Sequence, residues 1–416
     1  MDGRGRMIGC LETSASRRLD QIRFTPEAEA RAGGNRAGAP LCFVDSFHLH
    51  AMTHDFSRYH RQMLLPGFGE DGQRRLADAK VLVLGCGALG TVVADMLARA
   101  GVGRLVIVDR DFVETTNLQR QVLFDEQDVA EALPKAEAAR RKLARINSQV
   151  EVDAIVDDMN SGNIERHAAG IDLIVDGLDN FETRYLANDY AVKHGVPYVY
   201  GGAVGTTGAA YAILPHTERD DAPWERLPGG SKATPCLKCL FEEAPPPGTM
   251  PTCDTVGVLG PAVAIVANFE AAEALKILTG NFEHVTPTLL SFDLWTGSIT
   301  QLKVARAYDD GDCTCCKHRR FEYLDGRLGS GTTTLCGRDA VQLTHKQHAG
   351  KLDLDEVASR LRAHGNVTAN RFMLRAALAD NGREYELTLF TDGRAIIKGT
   401  REANVARSVY AKYVGI

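Results

Sequence analysis

The clearest periodicity in the chain falls between residues 81 and 121. Residues 81–84 are an apolar run of strand length that leads straight into Gly85, Gly87 and Gly90. Val93, Met96, Leu97 and Ala100 then recur at helical spacing, which predicts an amphipathic helix ended by the glycines at 101 and 103. Residues 105–108 read as a second buried strand that finishes on Asp109. After Pro134, the spacing of Ala138, Arg141, Leu143 and Ile146 predicts another helix, with the proline at its first turn. Residues 150–156, 171–175 and 197–200 read as further strands, and 201–208 as a flexible glycine turn into 209–214. A helix over 264–279 and strands at 289–292 and 299–304 follow. Strands alternating with helices imply an α/β fold, a Rossmann-like open and mostly parallel sheet with helices on both faces.

The pattern changes near residue 319. Residues 332–335, 340–343, 372–378, 384–390 and 394–397 read as strands and 354–361 as a helix. Ala406, Val409, Tyr410 and Tyr413 give a last helical face. This is a small α+β C-terminal domain of roughly 90 residues, enough to bury its own core. Its one reactive-looking pair, Cys336 and Arg338, reads as structural. Residues 1–53 show no sustained periodicity and are expected to be a disordered extension, with Met52 a natural start for the folded region. The expected partition is therefore 1–53, 54–318 and 319–416.

Composition narrows the function classes. The 416 residues are 44% hydrophobic and 25% charged, as in a soluble globular protein. A net charge of −6 argues against a general nucleic-acid binder. No apolar run reaches the ~18 residues that a membrane span needs, and no secretory signal pattern opens the chain. Ten cysteines, several in Cys-x-x-Cys pairs, point to metal and thiol chemistry in a reducing cytoplasm rather than to disulfides.

Strand, glycine loop, helix, strand and acid make a mononucleotide-binding unit. Gly85, Gly87 and Gly90 let the backbone approach a phosphate, the helix N-terminus favours its charge, and Asp109 can hold a ribose hydroxyl. A glycine loop alone is weak, but Asn117, Arg120 and Gln121 place amide and guanidinium groups just past the second strand. A nicotinamide-dependent dehydrogenase has no use for that cluster; a site handling a reacting triphosphate does. Lys135, beside Pro134, is either solvated or aimed at whatever lies under its helix. Asp176 and Asp179 follow the 171–175 strand, where they could cap the next helix or hold magnesium. The pairs Cys236/Cys239 and Cys313/Cys316, some 75 residues apart, are a tetrahedral zinc signature, with Cys315 able to replace a neighbour. Between them, a proline-rich link at 244–248 precedes Cys253, either a small buried hydrophobe or a chemical thiol.

The run Asp109-x-Asp111-x-Val113-x-x-x-Asn117-Leu118-x-Arg120-Gln121 resembles the signature of the ThiF/MoeB/ubiquitin-activating superfamily, over roughly residues 58–317. These enzymes adenylate the C-terminal glycine of ubiquitin-like or sulfur-carrier proteins of the ThiS/MoaD type. The resemblance implies ATP with Mg²⁺ on Asp179, phosphate contacts from Lys135, and a structural Zn²⁺ on Cys236, Cys239, Cys313 and Cys316. It makes Arg61, in the opening Arg58-Tyr59-x-Arg61-Gln62, an arginine that reaches the partner's ATP across a homodimer interface. It also makes Cys253 a residue that forms a thioester or persulfide in some members, drawing on a sulfur donor. One departure is visible. The family usually has glycine two residues before the Pro-Lys pair, and this chain has Ala132. A superfamily member acting on a small-molecule or tRNA-borne carboxylate, a dehydrogenase, and a non-catalytic scaffold are the competing readings.

Overall fold

A computed structural model describes residues 55–217, 222–242, 257–328, 332–335, 339–343, 353–380, 383–402, 405–406, 409–410 and 413–414. The expected N-terminal extension, the 244–248 link, Cys253, Cys336 and Arg338 lie outside the described residues.

Eight strands form the main sheet: β1 (Lys80–Leu84), β2 (Arg104–Val108), β3 (Glu151–Ile155), β4 (Leu173–Asp176), β5 (Tyr198–Val204), β6 (Thr207–Ile213), β7 (Thr288–Asp293) and β8 (Ser298–Lys303). Their order is β3-β2-β1-β4-β5-β6-β7-β8. The first five are parallel and the last three run antiparallel. β1 is covered on both faces, which is why it reads as an unbroken apolar run. Val81 and Val83 face one core with the Ala88–Ala100 and Gly260–Leu278 helices, whereas Leu82 and Leu84 face a second core with the Phe181–His194 helix. Connections leave β1 toward β2 and β4 toward β5 on opposite sides. The strand order therefore switches between β1 and β4, and a crevice opens at their C-terminal ends.

The expected flexible turn at 201–208 is instead the core of the β5–β6 hairpin, whose turn is confined to Gly205 and Thr206. The glycines there serve packing. A Cβ on Gly201 would stand 2.3 Å from Cδ of Glu270, and one on Gly208 2.4 Å from the Phe292 ring. Backbone pairing, of 201–204 with β6 and of β6 with both β5 and β7, rather than side-chain propensity, holds these residues extended.

The second sheet comprises β9 (Thr332–Leu335), β10 (Ala340–Leu343), β11 (Gly365–Ala369), β12 (Met373–Asp380), β13 (Arg383–Phe390) and β14 (Ala395–Lys398). It is antiparallel throughout, in the order β11-β12-β13-β14-β10-β9. The Leu354–Leu361 helix, whose N-cap Asp353 accepts from the amides of Asp355 and Glu356, covers one face with Leu354, Val357, Ala358 and Leu361. Ala406, Val409 and Tyr410 are buried in the same core. The opposite face carries Ala340, Met373, Phe390 and Ile396, which pack against Phe112 from the loop after β2. The second sheet thus docks on the strand ends of the first. Among the described residues no helix is long and apolar enough to cross a membrane.

Candidate active site

The glycine loop sits at the switch point, with Gly85 N donating to Val108 O at 2.8 Å and Gly177 N to Leu84 O at 2.7 Å. Gly85 has φ +85°, and a Cβ there would meet Gly177 O at 2.6 Å; one on Gly90 would meet Gly85 O at 2.0 Å. These two contacts hold the loop tight under the helix start. Gly87, the N-cap of the Ala88–Ala100 helix, differs. Its nearest neighbours to a Cβ lie 3.8 and 3.9 Å away, and no side chain caps the first turn. A Cβ there would make only ordinary contacts, and first-turn N–H groups that no side chain caps favour an anion.

Asp109 closes the loop from β2. Its Oδ2 accepts from Cys86 N at 2.6 Å and its Oδ1 from Asp111 N at 2.7 Å. Burial pushes this carboxyl up, with Lys135 pulling against it. Lys135 is 4% exposed and opens the Lys135–Ile146 helix, with Pro134 one position earlier than expected, at the N-cap. The Lys135 backbone N donates to Asp111 O at 2.9 Å and its Nζ donates to Asp111 Oδ2 at 3.0 Å. A cation is thereby fixed beside the glycine loop in a site of reduced solvent access, where its charge counts for more than it would in water.

Past β2, the Thr115–Asn117 turn buries Asn117, whose Oδ1 accepts from Glu114 N in a reciprocal capping box. Arg120 is half-buried, donates from Nη1 to Thr116 O at 2.9 Å, and lies against the Gly260 end of the long helix. Gln121 is buried, its Nε2 near Gly87, and its Oε1 has no hydrogen-bond partner among the described residues. A buried amide oxygen left without a donor, at the mouth of an anion site, marks a position that a ligand donor can complete.

The two aspartates after β4 separate cleanly. Asp176 is fully buried, with Oδ2 accepting from Arg184 Nε at 3.0 Å and from Tyr198 Oη at 2.6 Å, and Oδ1 from Leu178 N at 2.8 Å. Asp179 is exposed at the crevice, and Asn180 supplies the helix cap by accepting from Thr183 N. Arg110, which sequence reasoning passed over, sits between the acids. Its Nη1 meets Asp158 Oδ1 at 2.7 Å. Burial works against its charge, but Asp158, Asp111 and Asp179 together hold it strongly protonated. Its only sequence signal is its place between two motif acids, and Asp158 at the end of β3 carries none.

The Sγ atoms of Cys236, Cys239, Cys313 and Cys316 all lie within 4.8 Å of one another. Pairs at 3.8, 3.6 and 3.3 Å fit the roughly 3.8 Å that sulfurs adopt around a tetrahedral zinc with ~2.3 Å bonds. Cys315, buried in the same cluster, accepts from Asn188 Nδ2 at 3.4 Å. Asn188 Oδ1 also accepts from Leu237 N at 2.8 Å, so this one side chain ties both cysteine arms to the Phe181–His194 helix.

The crevice gathers Gly85, Gly87, Gly90, Asp109, Asn117, Gln121 and Lys135, with Arg120 and Asp179 at its margin. Arg61 stands apart on the exposed His60–Met63 turn, next to Leu64 and Leu65, which are 68% and 57% exposed.

The ThiF family matches residues 59–315. The chain is 41% identical over 359 residues to the sulfur carrier protein ThiS adenylyltransferase of Bacillus subtilis, covering 86% of this chain and 99% of that protein. It is 42% identical over 252 residues to the sulfur carrier protein adenylyltransferase of Thermus thermophilus, covering 61% of this chain and 88% of that protein. In fold, it superposes on the crystal structure of E. coli MccB with a TM-score of 0.52 at 24% identity, over 64% of this chain and 74% of that one. Strand-end crevice, glycine loop, paired acids and three of the four clustered cysteines fall inside the matched span, with Cys316 one residue beyond it, and the chain belongs to the ThiF family.

Proposed function

We propose that the chain adenylates the C-terminal glycine carboxylate of a small ubiquitin-like sulfur-carrier protein, forming an acyl-AMP and releasing pyrophosphate. One observation carries this reading: an uncapped helix N-terminus and the buried Lys135 converge on one crevice, with the Gln121 carbonyl oxygen unpartnered at its mouth. The helix N-terminus and Lys135 suit a triphosphate, and the Gln121 oxygen suits a donor from the nucleoside, a hydroxyl or amino group. The resemblance to adenylyltransferases of sulfur carriers supplies the acceptor.

A carrier carboxylate oxygen attacks the α-phosphorus, and the bond from that phosphorus to the β-bridging oxygen breaks. The carboxylate is already ionised at neutral pH, so no protein base is required. Catalysis is positioning and charge neutralisation. The helix N-terminus and Lys135 hold the phosphates, and Arg120 covers the reacting group from the Gly260 side. Asp109 accepts from ribose hydroxyls with the lone pairs that its two backbone donors leave open. Asp179 would hold Mg²⁺, whose charge offsets that of the triphosphate. Zinc on the four cysteines would be structural, since no ligand position remains for a substrate. Arg61 acts from the partner of a homodimer, as its exposure beside two bare leucines suits an interface. Cys253 serves any later thioester or persulfide step with a sulfur donor, and the reaction is cytoplasmic.

ATP–pyrophosphate exchange against a panel of small carriers ending in Gly-Gly tests the reading. Exchange that needs such a carrier and stops when its last glycine is removed is expected. Exchange driven instead by a free carboxylate or by tRNA would overturn it.

A further inference from the structure

The Lys135 arm depends on an unfavourable turn. Leaving the Glu126–Ala130 helix, the backbone passes Ala132 at φ +48°, a left-handed conformation that a Cβ disfavours. It then runs as 133–135 beside 111–113, where Val113 N donates to Leu133 O and Lys135 N to Asp111 O, both at 2.9 Å. This short pairing sets the reach of Lys135 Nζ to Asp111. Nothing in the alanine itself favours the turn.

The support comes from the second sheet. Asn370 Nδ2 donates to Ala132 O at 3.0 Å. The asparagine is itself fixed, because its Oδ1 accepts from Phe372 N at 2.9 Å and Met373 N at 3.0 Å. Two backbone donors on Oδ1 leave only Nδ2 to face Ala132. Next to it, Arg371 Nη2 meets Glu137 Oε1 at 3.2 Å on the first turn of the Lys135 helix. Ala132 also packs on the cluster that joins Met373 and Ile396 to Phe112.

We propose that Asn370 is a positioning residue for the nucleotide site: by holding the Ala132 carbonyl it keeps the 133–135 arm in register, so the C-terminal sheet sets the affinity for ATP through Lys135. The effect on ATP rests on the phosphate role given to Lys135; the effect on the loop does not.

Asn370→Asp separates the clamp from the local turn, because it keeps the acceptor for Phe372 and Met373 and replaces the donor with a carboxylate oxygen that repels the Ala132 carbonyl. In the full chain without nucleotide, amide hydrogen exchange at 133 and 135 should speed up about tenfold, as for a local opening, while the β12 amides at 374–378 stay as in wild type. The KM for ATP in pyrophosphate exchange should rise severalfold, with kcat changed less. Ala132→Gly, which relieves the left-handed strain, should recover most of both effects when combined with Asn370→Asp. Wild-type amide rates in Asn370→Asp, faster amides with an unmoved KM, or no recovery by Ala132→Gly would each overturn the proposal. A Lys135→Ala chain with a normal KM counts instead against the phosphate role of Lys135, so the two failures are distinguishable.

Discussion

Asp176 and Asp179 lie on one loop, yet burial gives them different chemistry. Asp176→Ala would strand the buried Arg184 and should cost about 3–5 kcal/mol in urea unfolding. Asp179→Ala removes an exposed carboxylate, so stability should stay at wild type while pyrophosphate exchange at limiting magnesium falls by about two orders of magnitude. Equal stability losses in the two variants would contradict the assignment. Glu270 gives a pH test. It is fully buried, neither carboxylate oxygen is hydrogen-bonded among the described residues, and burial pushes its pKa well above the usual value. A raised folded pKa means stability present below the unfolded pKa and lost as pH rises, at up to about 1.4 kcal/mol per unit. Glu270→Gln should therefore gain on wild type as pH rises above the unfolded carboxylate pKa, and a pH-independent difference would show the acid to be solvated or paired. At this scale the sequence exposes motif residues such as Lys135 and Asp109. It hides Arg110, Asp158 and Glu270, whose roles come from charges and burial contributed by distant strands.

Among the elements, the cysteine knuckles were the most legible, because two Cys-x-x-Cys pairs state their own geometry. What the spacing left open was Cys315, which accepts from Asn188 Nδ2 and is proposed to stay outside the ligand set. Metal analysis should find close to one zinc per chain, kept in Cys315→Ser and lost in Cys313→Ser; a chelator should loosen the 236–240 and 313–318 segments rather than stop adenylation directly. Zinc lost equally from both variants would return Cys315 to the ligand set. The β5–β6 hairpin was less legible, since Gly201 and Gly208 look like turn residues until Glu270 and Phe292 are seen occupying the space beside them. β11 was missed because Gly365–Ala369 is an exposed edge strand whose only partner is β12, and it has no apolar alternation to betray it.

At the level of the whole molecule, the first sheet was readable from its βαβ rhythm, whereas the docking of the second was not. Arg375 and Lys398 are ordinary polar residues on strands, and Asn370 is one in the turn between β11 and β12. Only the fold brings Arg375 over the Phe112 ring at 3.9 Å and Lys398 Nζ to Glu114 Oε1 at 3.2 Å. The assembly reading makes its own prediction. Mixed dimers of Arg61→Ala and Lys135→Ala, each inactive alone, should regain part of the exchange activity, because one of their two sites keeps both residues. Verified mixed dimers that stay inactive would rule out the arginine acting in trans.

The proposed reaction transfers an adenylyl group to a carrier's terminal glycine. Intact-mass measurement of a Gly-Gly-ending carrier, quenched shortly after mixing with enzyme, ATP and Mg²⁺, reads that transfer directly. The account predicts a carrier heavier by one adenylyl group, pyrophosphate released in equal amount, and no adduct on a carrier lacking its last glycine. An unmodified carrier with inorganic phosphate as the product, or an adduct that persists without the terminal glycine, would contradict it.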